Sequence, residues 1–248
     1  MTIKSVAKKT ENNPLIIHIN PIGLLRISNN NEERFKKFNT ILNDIQNFGG
    51  NIAIPTYSYS YSQNKLYDIK NTPSNLDDIG EYLRKKNTIK RTSDPNFSYL
   101  LFGNNFSNRH FEINHSSSFG NNSFIDDVFK QDGYLGAIGG ALEYLTEIHL
   151  IEKKLDVDYR FDKNFKGVTT SHSGKKIDSS TTFFCRDLSS NYAVSLMQLK
   201  HDLLQEKLIN EWIIPSYNLR IEVVKFRLLY DFIKEKLIDD PKYLWKKI

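Results

Sequence analysis

The sequence predicts an α/β fold: a central sheet with flanking helices, in a single domain over residues 1–248. Three observations carry this. Short, β-branched apolar runs alternate with longer segments whose apolar residues recur at helical spacing, the pattern of strands packed between helices. The chain has 248 residues, 39% hydrophobic and 12% aromatic, enough for one sizeable core and too apolar for a disordered chain. No apolar run approaches the ~20 residues needed to span a bilayer.

Residues 1–13 are basic and polar without an apolar stretch, so they read as a loose tail and not as a secretory signal. PLIIHI (14–19) is a buried strand. Residues 32–48 place Phe35, Phe38, Ile41, Leu42, Ile45 and Phe48 on one helical face, and Gly49-Gly50 stops that helix. NIAIPT (51–56) is the next strand, followed by a Tyr/Ser-rich ordered loop from Tyr57 to Asn71. Thr72-Pro73-Ser74 opens a helix to about Lys86, with Ser74 as N-cap and Asp77 three positions on. FSYLLFG (97–103) is a strand, and a His- and Ser-rich loop (104–122) leads to a second cap, Ser123 with Asp126. YLGAIG (134–139) is a strand, and ALEYLTEIHLIEKKL (141–155) reads as one helix. Residues 165–187 form two β segments around Ser173-Gly174. The remainder is helical over 193–210 and 223–238, with a short β segment near 217–223.

Charge and cysteine content bound the function. There are 34 Lys+Arg against 29 Asp+Glu, a formal charge of +5. That excess tolerates an anionic ligand, but no basic and aromatic nucleic-acid module accompanies it, so no nucleic-acid partner is expected. The single cysteine, Cys185, excludes a disulfide framework and a Cys-rich metal site. It sits in the apolar run TTFFCR, which suits a buried inert thiol better than a nucleophile. The cytoplasm is the expected location. The P-loop, dinucleotide-binding, zincin and nucleophile-elbow motifs are all missing, and Gly136, Gly139 and Gly140 are wrongly spaced for a dinucleotide fingerprint.

The strongest chemical constellation is Thr146, His149 and Glu152. Spacings of three put them on one helical face, where a carboxylate can orient an imidazole as a base. The plain alternative is a polar helix face with an ordinary ion pair, although Leu145, Ile148, Leu150 and Ile151 make the helix partly buried. Ser74 and Ser123 each cap a helix whose unpaired N–H groups suit a phosphate, or are simply caps. His110 and His115 lie in a polar loop, where histidines can face a ligand or be idle.

Several segments, in order, resemble the aminoglycoside 3-N-acetyltransferase-like (antibiotic N-acetyltransferase) family. They are FGGNIAIPTYSYSY, NTPSNLDDIGEYLRKKNTIKRTSDPNFSYLLFG, FGNNSFIDDVFKQDGYLGAIG, TEIHLIE with its T-x-x-H-x-x-E signature, and YRFDKNFKG. The resemblance covers 14–168 well and the C-terminal β/helical part, 169–248, loosely. Three positions depart from the family pattern. Asp94-Pro95-Asn96-Phe97-Ser98 stands where a His-Pro-Thr-His-Ser string is common, Ile19-Asn20-Pro21-Ile22-Gly23 replaces an early Ser-rich loop, and Ser123-Phe124 lacks the proline of the FGxxSP string.

The resemblance implies a mixed central sheet and an acyl-CoA-dependent N-acyltransferase acting on an amino sugar. The donor would be acetyl-CoA or a short hydroxyacyl-CoA, with no metal. His149 would take a proton from the sugar ammonium, Glu152 would orient it, and Thr146 would give polar support. Thr72, Ser74, Ser98, Gly120 and Ser123 are implied on the cofactor side. The basic charge and the Tyr- and His-rich loops favour a nucleotide-linked amino sugar of the kind used in bacterial surface-glycan (lipopolysaccharide O-antigen) synthesis, with Tyr57, Tyr59 and His115 against the acceptor. An aminoglycoside acceptor is the alternative, and an inactive binding protein that kept the fold is another. The expected partners are these small molecules, with a homodimer left open.

Overall fold

The computed structural model describes residues 1–86, 90–113 and 117–247. The chain opens with α1 (Ile3–Thr10), β1 (Leu15–Ile19), α2 (Asn31–Asn47), β2 (Ile52–Pro55), α3 (Ser60–Gln63), β3 (Leu66–Asp68) and α4 (Asp78–Lys85). It continues through β4 (Lys90–Arg91), β5 (Tyr99–Phe102), α5 (Phe124–Lys130), β6 (Tyr134–Ile138), α6 (Ile148–Lys154), β7 (Arg160–Thr170) and β8 (Lys176–Arg186). The last elements are β9 (Tyr192–Val194), α7 (Met197–Gln205), β10 (Asn210–Ile214), β11 (Leu219–Lys225), α8 (Phe226–Asp239) and β12 (Trp245–Lys247).

Seven strands form the main sheet in the order β10-β11-β6-β1-β2-β5-β4. The three central strands, β6, β1 and β2, run parallel, and antiparallel strands flank them on both sides, so the sheet is mixed. Strand side chains alternate between two cores. Leu15, Ile17, Ile52, Ile54 and Ile138 pack with residues of α1, α2 and α4 on one face. Ile16, Ala53, Leu135, Ala137 and Val224 pack with residues of α5, α6, α7 and α8 on the other. A second sheet, β3-β7-β8, is built on the long antiparallel pair Arg160–Thr170 and Lys176–Arg186. Gly23 and Gly139 touch backbone to backbone: a Cβ on Gly23 would lie 2.4 Å from the Gly139 Cα. This contact draws the turn after β1 against the end of β6.

Four expectations need correction. Residues 1–13 are not a loose tail: Thr2 and Ser5 close a capping box on α1, whose Val6, Ala7 and Thr10 are buried. Three lysines on the opposite face gave that segment its polar look. The 57–71 loop contains α3 and β3. Ser74 does not cap α4. Asp77 does, its carboxylate accepting from the Gly80 N–H, while the Ser74 Oγ accepts from the Leu76 N–H. Residues 141–155 are a 3-10 turn (Ala141–Tyr144) and then α6, broken at Leu145, Thr146 and Glu147.

Candidate active site

His149 and Glu152 meet as their spacing predicts. His149 Nδ1 lies 2.6 Å from Glu152 Oε2, one turn on in α6. Glu152 is fully buried, and His149 keeps 18% of its side chain exposed. A third residue, Arg160 at the start of β7, completes the group. Its Nε sits 2.7 Å from Glu152 Oε2 and its Nη2 lies 3.5 Å from His149 Nε2. A guanidinium can only donate, so Nε2 is the acceptor and the ring proton is on Nδ1, facing the carboxylate. The ring of Phe119 meets His149 edge-on at 5.3 Å. Glu152 Oε1 is buried and has no hydrogen-bond partner among the described residues. Burial and the Glu152 charge push the phenol of neighbouring Tyr159 up. Thr146 is partly buried and enters this group through its backbone, its carbonyl accepting from the His149 N–H.

A second histidine–carboxylate pair lies nearby, and sequence reasoning missed it. His18 Nε2 is 2.8 Å from Glu147 Oε2, with the residues 4% and 0% exposed. The Tyr99 hydroxyl donates to Glu147 Oε1 at 2.7 Å and the Tyr57 hydroxyl does so at 3.1 Å. Burial alone would raise the Glu147 carboxyl. The His18 charge and hydrogen bond and the Tyr99 hydroxyl outweigh it and hold the group below the ordinary carboxylate range. Burial and the Glu147 charge push Tyr57 and Tyr99 well up, so both are proton donors.

This pair borders a cleft of about 520 Å3, a volume suited to a small ligand. His18, Asn20 and Pro21 line it from the end of β1, Ala141 and Tyr144 from beyond β6, and Leu76, Asp77 and Asp78 from the entry to α4. Its position follows from topology: β1 lies between two parallel neighbours, and open α/β sheets bind ligands at the carboxyl ends of strands at such a point. The signal in the sequence was His18 itself, a lone polar residue in a five-residue buried strand.

The other expected site residues are elsewhere. Tyr57 is fully buried and bonded to Tyr99 and Glu147, so it has no face for an acceptor. Tyr59 is partly buried with φ +51 and packs against Tyr57 and Phe97. Ser98 is buried, donating to the Thr56 carbonyl and accepting from Arg91. The Thr72 hydroxyl accepts from the Asp68 N–H and its carbonyl from Arg91. Ser123 caps α5 through the Asp126 N–H, which uses the N–H expected for a phosphate. Asp77 and Asp78 stand at the start of α4, beside Ser74, where a phosphate would be repelled. Gly120 lets the backbone approach Ser117 closely. His110 is buried against Asp127, and His115 lies outside the described residues. Burial pushes the Cys185 thiol up, in keeping with an inert thiol. Among the described residues no cluster of three His, Cys, Asp or Glu is arranged to hold a metal, and no helix is long and apolar enough to cross a membrane.

Solved structures similar to this one include aminoglycoside acetyltransferases. AAC-VIa, in a structure with sisomicin bound, superposes with a TM-score of 0.71 at 14% identity, covering 96% of this chain and 97% of its own. AAC-IIIb, in a binary complex with CoASH, gives 0.68 at 13% identity over 96% and 97%. YokD from Bacillus subtilis gives 0.66 at 14% identity over 97% and 94%. None of the curated proteins compared with the chain matches it. At these identities the structures define the fold, a mixed α/β acetyltransferase architecture. The sequence places the chain more closely: residues 37–237 match the model of the aminoglycoside 3-N-acetyltransferase family, and the protein belongs to that family.

Proposed function

We propose that the protein transfers an acyl group from acyl-CoA to the amine of an amino sugar, with His149 as general base. The observation that carries this is the His149–Glu152 pair, closed at 2.6 Å, with Nε2 the unprotonated ring nitrogen and only a long 3.5 Å contact to Arg160 Nη2. Family membership and a CoASH-bound relative support the donor. Bound acyl-CoA would supply an activated thioester carbonyl. His149 Nε2 takes one proton from the acceptor's ammonium, and the freed amine lone pair forms the new C–N bond. As the C–S bond breaks, the imidazolium gives that proton to the departing thiolate, and the second nitrogen proton leaves through the freed Nε2 to solvent. The neutral amide, the thiol and one released proton are the products. Glu152 fixes the tautomer throughout and stabilises the transient imidazolium. Arg160 keeps Glu152 in place, and Glu152, fully buried, acts on the acceptor only through His149.

Two acceptor classes follow from different observations. The net charge of +5 supports a nucleotide-linked amino sugar. The aspartates of the cleft beside His18 support a polycationic, aminoglycoside-type acceptor, and the burial of Tyr57 removes one surface for stacking a base. Thiol release should be measured with acetyl-CoA and a hydroxyacyl-CoA against nucleotide-linked amino sugars and aminoglycosides. Release with free amines and none with the N-acetylated sugars is the expected result. A panel that gives no release with any acceptor overturns the enzymatic reading in favour of a binding protein.

A further inference from the structure

We infer that Tyr159 is a positioning residue for the His149–Glu152 pair, its hydroxyl donating to the second oxygen of the Glu152 carboxylate. This role presupposes His149 as the general base. Both close contacts of the carboxylate fall on one oxygen: His149 Nδ1 at 2.6 Å and Arg160 Nε at 2.7 Å each meet Oε2. The other oxygen, Oε1, is buried with no hydrogen-bond partner among the described residues, and the Tyr159 hydroxyl is buried in the same condition. One group is an acceptor short of a donor and the other can supply the proton. Leaving the two unpaired beside each other inside the protein is costly.

The chain brings them together. Tyr159 immediately precedes Arg160, which already holds Glu152 from the start of β7. Burial and the Glu152 charge push the phenol up, so it keeps its proton and acts as a donor. The gain is in orientation. The terminal torsion of a glutamate is soft, so donors on one oxygen alone let the carboxylate rock. A donor on each oxygen fixes its plane, and with it the direction of the Nδ1–H bond that aims the imidazole. The phenol is itself held by packing. Its ring stacks on Trp245, centroids 4.7 Å apart and planes 15° apart, and Trp245 stacks on Tyr192 at 6.4 Å and 14°. Trp245 lies on β12 and Tyr192 on β9, which pair with each other. The small β9–β12 sheet therefore backs the catalytic pair through three rings.

Tyr159→Phe keeps the stack and removes only the hydroxyl. In this variant kcat should fall by about 10–100-fold, the scale of a small misplacement of a catalytic group, with KM and thermal stability near wild type. A second readout separates aim from packing. In the whole protein labelled with 15N-histidine, the Nδ1–H resonance of His149, identified by its loss in His149→Ala, should shift in Tyr159→Phe. An unmoved resonance overturns the inference, as does a variant whose only change is lower thermal stability, which would leave Tyr159 a packing residue. Wild-type kcat in Tyr159→Phe also overturns it, provided His149→Ala is impaired. Undiminished turnover in His149→Ala would count instead against His149 as the base, and the resonance alone then decides whether Tyr159 holds Glu152.

Discussion

His149→Ala should lower turnover by about 10²–10⁴-fold, the contribution of a well-placed general base, while acyl-CoA binding and thermal stability stay near wild type. The side chain is partly exposed at the end of its hydrogen bond to Glu152, so its removal leaves a small, wettable gap. Turnover within threefold of wild type would remove His149 from the reaction. Glu152→Gln should cost less in turnover but more in stability. The amide still accepts from Nδ1–H, yet it leaves the Arg160 guanidinium, itself almost buried, without its counter-charge.

Glu147→Ala should cost about 3–5 kcal/mol of stability, the range for breaking a buried ion pair. The loss arises because His18 Nε2 and the Tyr57 and Tyr99 hydroxyls all direct hydrogen bonds at one carboxylate inside the core. Denaturant unfolding followed by two probes measures it, and a loss under 1 kcal/mol would mean the network is not as drawn. Glu147→Gln keeps the shape and should lose less. The two forms also separate by pH. The folded carboxyl titrates below its unfolded value of about 4.3, so the unfolded chain takes up the proton first on acidification. The stability Glu147 contributes is present above that value and is lost as pH falls through its lower, folded one. The gap between wild type and Glu147→Gln should therefore narrow as the pH falls below about 4.

These two centres differ in how far the sequence disclosed them. The His149–Glu152 pair is a short-range matter: three residues apart in a helix means one face, whatever the rest of the chain does. The His18–Glu147 pair joins residues 129 apart, and no local period relates them. The same contact explains why residues 141–155 do not form one helix. Glu147 carries its side chain into the core to meet His18, and the backbone at Leu145, extended at ψ 100, turns the chain to allow it. The strands of the central sheet were plain because buried parallel strands are continuous apolar runs. The start of α4 was misread by three residues because Ser74 and Asp77 both fit a cap, and only the fold decides which carries the helical N–H. The helix α1 was readable from Ile3, Val6, Ala7 and Thr10, but its lysines masked the period.

The three-residue strand β3 has a consequence for motion. It pairs in parallel with β7 at Leu66–Val168, Tyr67–Thr169 and Asp68–Thr170, and Tyr61 just before it hydrogen-bonds Thr169 and Ser179 on the long hairpin. At its other end Arg91 clasps the carbonyls of Thr56 and Thr72, fixing the same stretch of chain to the main sheet. The hairpin therefore cannot swing free of the chain that follows β2. In amide hydrogen exchange, β3, β7 and β8 should therefore open with one shared free energy, distinct from that of the seven-stranded sheet, with the chain between Tyr57 and Thr72 as the tether between the two units.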